Sequence, residues 1–149
     1  MINFYMLNKI KINNYKKLKQ KIKNIFFLEK QNIYKVNYIF CNNKYILYIN
    51  NYFLNKNYYT DTISFEYNYI NKKNIYGDIF ISVDQVYNNS IIWKQYFSIE
   101  MKRVIIHSIL HLLGYNDNNK INKKIMINKE NLYIKNFKNI KINKYEKKI

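Results

Sequence analysis

The chain has 149 residues, enough for one domain with a buried core and too few to divide into two. Its 26 Lys and Arg stand against 9 Asp and Glu, a formal net charge of +17 that favours polyanionic partners, although codon drift toward Lys, Asn, Ile and Tyr would produce the same excess. A single Cys41 excludes an internal disulfide and fits a reducing, cytoplasmic setting; the longest apolar run, VIIHSILHLL, is about half of a bilayer span, so neither a membrane segment nor export is expected.

In chain order, residues 2–7 read as a strand and Asn14 to Glu29 as a helix, with Leu18, Ile22, Ile25 and Phe26 at helical spacing inside a lysine-rich face. Tyr34 to Cys41 and Tyr45 to Ile49 are two β-branched and aromatic runs separated by Asn42, Asn43 and Lys44, the pattern of a hairpin. Asn50 to Tyr59 reads as a short helix followed by a loop. Thr62 to Tyr67 and Asp78 to Ser82 read as strands, joined by the polar segment 68–76. After Val83 the pattern turns helical. Asp84 to Phe97 forms a helix or loop, and a second helix runs from an N-cap at Ser98 to Leu113, where Gly114 supplies a left-handed stop. From Ile121 a basic amphipathic helix continues into a Lys-rich tail at about 137–149. Strands first and helices late predict an α+β domain spanning 1–149, with helices on a small mixed sheet of about four strands.

Two glycines, two histidines and no proline make these residues conspicuous where they cluster. At about 100° per residue, Glu100, Arg103, His107, His111 and Gly114 share one narrow arc of the 98–113 helix, whose other positions are apolar. One turn apart, His107 and His111 can direct imidazole nitrogens at one zinc ion. Gly114 lets the chain turn back, so that Asp117 can supply a third ligand. The resulting H-x-x-x-H-x-x-G-x-x-D layout is that of a metzincin-like central helix with Asp in place of the last His. Three protein ligands leave one position open, as in catalytic zinc sites. Two histidines packed in a core without metal are the alternative. Peptide hydrolysis is disfavoured because Ser108 stands where zincins carry the Glu base. Phosphodiester chemistry does not require that glutamate.

The run His107-Ser108-Ile109-Leu110-His111-Leu112-Leu113-Gly114-Tyr115-Asn116-Asp117 resembles the H-G-x-L-H-L-x-G-Y signature of the YbeY endoribonucleases. Tyr59 to Phe65 is similar to that family's T-[ND]-V-L-S-F strand, Gly77 to Ser82 to its G-D-[IL]-x-I strand, and Met126 with Glu130 to the M-x-x-x-E of its last helix. The likeness is greatest to the Bacteroidetes branch, where Asp stands for the last His. It implies a zinc-bound, single-strand-specific endoribonuclease that matures the 3′ end of 16S rRNA and acts in quality control of the small ribosomal subunit. Three positions depart from the pattern: Ser108 replaces a glycine, Leu54 an arginine and Asn57 an aspartate. On this reading Arg103 assists catalysis, and Lys56, Lys72 and Lys73 are candidate RNA contacts. A non-catalytic ribosome assembly factor with structural zinc, and more remotely a metallopeptidase, remain as alternatives.

Overall fold

The computed structural model describes residues 1–67 and 74–144. Strand β1 (Ile2–Met6) leads through a short β2 (Ile10–Ile12) to helix α1 (Tyr15–Leu28), then β3 (Asn32–Cys41), α2 (Asn43–Leu54), β4 (Thr62–Glu66) and β5 (Asn74–Ser82). Helices α3 (Val83–Ile92), α4 (Phe97–Leu112) and α5 (Lys120–Ile134) follow, and a 3-10 turn (Lys135–Phe137) precedes β6 (Ile142–Lys144). Four strands form a mixed sheet in the order β1-β3-β5-β4, with β1, β3 and β5 parallel and β4 antiparallel to β5 at one edge. The architecture is α+β, as expected. Among the described residues no helix is long and apolar enough to cross a membrane.

Period-two alternation divides β5 between two cores. Ile75, Ile79 and Ile81 point into the main core beside α4 and α1, whereas Phe80 packs with a smaller cluster of Cys41, Ile46, Ile49 and Ile63 beneath α2. Helix α4 is therefore pressed between the sheet and α3, α5 and β6, which explains why Met101, Val104, Ile105, Ile106, Ile109, Leu110 and Leu112 are all buried. Gly77 makes the close approach of α4 possible: a Cβ there would lie 2.5 Å from the Phe65 carbonyl oxygen and 2.6 Å from Leu112 Cδ1. Ser64 on β4 also donates to the Ser108 carbonyl at 3.1 Å, tying the edge strand to the middle of α4. Ser108 is itself accommodated, because its buried hydroxyl turns back to donate to the Ile105 carbonyl at 2.7 Å.

Three expectations are corrected. Tyr45 to Ile49 is helix rather than the second arm of a hairpin, because the Asn42 side chain accepts from the Tyr45 N–H at 2.8 Å and starts α2. Ser98 does not cap α4. The helix begins one residue earlier without a side-chain cap, and the Ser98 hydroxyl accepts from the Ile142 N–H at 3.0 Å. The last helix stops at Ile134, and the chain returns as β6 to pair with β2, burying Phe137, Ile140 and Ile142. Buried Lys102 holds that return, donating to the Phe137 and Ile140 carbonyls at 3.1 and 3.0 Å. Desolvation lowers its pKa.

Candidate metal centre

The polar arc of α4 faces α5 and the loop that follows Gly114. Gly114 adopts φ +100, a conformation that only glycine enters cheaply, with its N–H bonded to the His111 carbonyl and the Tyr115 N–H to the Leu110 carbonyl. The chain thus doubles back along the helix. Asn116 and Asn118 accept from the Asn122 side chain at 2.7 and 3.3 Å, securing the loop to the first turn of α5. Among the described residues His107, His111 and Asp117 form a group whose donor atoms all lie within 4.8 Å of one another.

The two imidazole Nε2 atoms are 2.9 Å apart; Asp117 Oδ2 lies 3.7 Å from that of His107, and Oδ1 3.9 Å from that of His111. Ligands at 2.0–2.2 Å around a tetrahedral ion stand about 3.3 Å from one another, so the three separations bracket what one zinc needs. Proton bookkeeping agrees with that fit. His111 Nδ1 is 3.1 Å from the Tyr115 carbonyl, which can only accept, and His107 Nδ1 is 3.3 Å from a Glu130 carboxylate oxygen. Both Nδ1 atoms therefore carry hydrogen, and two Nε2 lone pairs converge on one point. Such an arrangement requires a shared proton or a cation.

The surrounding charges are arranged accordingly. Burial lowers the His107 pKa, but the Glu130 contact and the nearby Asp61 and Asp117 outweigh it and hold the group above its ordinary value. Burial and the charge of His107 hold His111 below its own. Burial raises Asp61, opposed by both histidines, and burial reinforced by Asp61 raises Glu100. Arg103, one turn before His107, lies 3.5 Å from the second Glu130 oxygen with its side chain a third exposed. It braces the carboxylate that orients His107.

A cleft of about 360 Å³ opens beside His111 and Leu112 along Thr62, Ser64 and Glu66 of the edge strand. Its far wall includes Leu54, Lys56 and Tyr58, with the Lys56 ammonium 5.9 Å from the Tyr58 ring centre. Lys56 is thus brought to the same cleft as His111, whereas Lys72 and Lys73 lie outside the described residues. Sequence reasoning missed Glu130, Asp61 and Glu29 as members of the site's surroundings. The M-x-x-x-E spacing on α5 was the available signal for Glu130; Glu29 and Asp61 reach the site by packing across the fold.

The sequence model for Endoribonuclease YbeY matches residues 3–138. An Endoribonuclease YbeY from Karelsulcia muelleri is 44% identical over 136 residues, covering 90% of this chain and 94% of its own. One from Flavobacterium johnsoniae is 37% identical over 130 residues, covering 87% and 92%. The solution structure of TM1509 from Thermotoga maritima superposes with a TM-score of 0.63 at 27% identity, covering 91% of this chain and 88% of that one. By its sequence over most of its length and by its fold, the chain belongs to the Endoribonuclease YbeY family.

Proposed function

We propose that this protein is a zinc-dependent, single-strand-specific endoribonuclease that acts as a single cytoplasmic domain, matures the 3′ end of 16S rRNA and serves quality control of the small ribosomal subunit. Family membership supports the endoribonuclease assignment, and the resemblance in the signature segments supports the ribosomal substrate. The observation that carries the zinc reading is the meeting of two Nε2 lone pairs 2.9 Å apart beside the Asp117 carboxylate. His107, His111 and Asp117 hold one zinc per chain, with Glu130 and the Tyr115 carbonyl fixing the imidazoles behind it. Bound zinc supplies Lewis acidity, polarising a phosphoryl oxygen and making water more acidic.

The chain's own groups do the rest. RNA lies along the cleft beside β4, with the Lys56 ammonium toward a phosphate and the Tyr58 face available to an unstacked base. Arg103, 3.5 Å from Glu130, holds that carboxylate in place and adds positive charge near the phosphoryl group, and Lys72 and Lys73 are further candidates for RNA contact. Solvent access to the ligands favours catalysis over a structural ion, since the Asp117 side chain is 45% exposed.

The test compares metal content and cleavage of a small-subunit rRNA fragment extending past its mature 3′ end in the wild type, His107→Ala and Asp117→Ala. Near one zinc per chain, lost with cleavage in both variants while circular dichroism is unchanged, is the expected result. Zinc without cleavage would instead support an assembly factor, and absence of zinc would return the histidines to a metal-free role.

A further inference from the structure

We infer that Glu29, at the carboxyl end of α1 and not among the residues lining the cleft, is a positioning residue for His111, acting through Tyr115; its functional meaning rests on the metal reading above. The Glu29 side chain is 11% exposed and accepts from the Tyr115 hydroxyl at 2.8 Å, from Lys129 Nζ at 2.9 Å and from the Tyr133 hydroxyl. Two of these donors come from α5 and the third from the loop after α4. One carboxylate therefore joins α1, α5 and the chain that leads to Asp117.

Tyr115 has two polar ends, and they point to different partners. Its phenol is held by Glu29, and its carbonyl accepts the Nδ1–H of His111 at 3.1 Å. The peptide carrying that carbonyl follows Gly114, whose α-carbon has no atom within 4 Å of where a Cβ would stand, so packing at the glycine does not restrain it. A space of about 250 Å³ lined by Glu29, Gln31, Leu113, Gly114 and Tyr115 adjoins the same loop and leaves it room to swing. Beside a permissive glycine and open space, the phenol–carboxylate bond adds a side-chain restraint to the backbone bond from Tyr115 N–H to the Leu110 carbonyl and the Asn116 bond to Asn122, and it helps aim the Tyr115 carbonyl at His111. Helix α5 completes the arrangement. Lys129 and Tyr133 hold Glu29 on the His111 side, and Glu130 accepts from His107, so both imidazoles are aimed from one helix.

Tyr115→Phe, which deletes the hydroxyl alone, and Glu29→Gln test the inference. Zinc affinity is measured by competition with a chromophoric chelator, and the His111 tautomer by imidazole 15N NMR on metal-free protein at a pH where His111 is neutral. Both variants should bind zinc about 10-fold more weakly, the low end for outer-shell partners of a metal ligand, and should show His111 as a mixture of tautomers where the wild type has Nδ1–H. Unchanged affinity and tautomer, even with a lower melting temperature, would reduce Glu29 to a packing role and overturn the inference. Should Glu29→Gln fail to fold, Tyr115→Phe decides alone, because Lys129 and Tyr133 still hold the carboxylate. A wild type that takes up no zinc would sink the metal reading, and the tautomer comparison would still decide this one.

Discussion

Replacing Gly77 with alanine probes how the sheet and the site-bearing helix are held together. A new Cβ would meet the Phe65 carbonyl oxygen at 2.5 Å and Leu112 Cδ1 at 2.6 Å, so each neighbour must retreat by about 0.8–0.9 Å to reach ordinary contact at 3.4 Å. The leucine can yield in part by changing rotamer. The carbonyl cannot, because Phe65 lies within β4, whose register with β5 and whose Ser64 bond to α4 hold it in place. Overpacking of a filled core costs about 1–3 kcal/mol, and a backbone obstacle puts this case near 3. For a chain of this size that corresponds to a fall of about 10 °C in melting temperature, read by circular dichroism or calorimetry. Leu112 directly follows His111, so zinc affinity should fall as well. A midpoint within about 2 °C of wild type would show that α4 does not depend on this contact, and the packing argument would be refuted.

Glu130→Gln removes the charge that accepts from His107 and faces Arg103; zinc affinity should fall about 10- to 100-fold in chelator competition, and an unchanged value would detach Glu130 from the site. The Glu29 cluster predicts a pH-dependent stability. Burial alone would raise the Glu29 pKa, but the bonds from Tyr133, Lys129 and Tyr115 outweigh it and hold the group below the ordinary 4.5. Its contribution is therefore complete above about pH 4.5 and lost as pH falls through the lower folded value, so melting curves of wild type and Glu29→Gln should converge on acidification; parallel curves would contradict the lowered pKa. Lys56→Gln should weaken RNA binding and reduce the slope of log affinity against log salt by about one, and an unchanged slope would remove Lys56 from the phosphate contacts.

Where local chemistry decides the outcome, it was legible in the residues themselves. Helix α4, its apolar surround and its stop at Gly114 follow from periodicity and from a glycine where φ is positive. Strands β3, β4 and β5 follow from β-branched and aromatic runs. The spacing of His107, His111 and Asp117 anticipated their convergence, because an i, i+4 pair and a glycine turn leave the chain few directions to take. Tyr45 to Ile49 does not declare itself in sequence, since a five-residue apolar run has no decisive period and an asparagine before it serves a turn and an N-cap equally well. What lay beyond the sequence were pairings between distant segments: three-residue β2 and β6 meeting from opposite ends of the chain, and the Ser98 hydroxyl drawn to the Ile142 N–H. Glu29, reached by donors 86 to 104 residues away, belongs with them. The sequence by itself determined that His107, His111 and Asp117 come together, because their spacing along one helix and turn is a local property. Only the tertiary structure decided which carboxylates stand behind those side chains, because that depends on how α1 and α5 pack around α4.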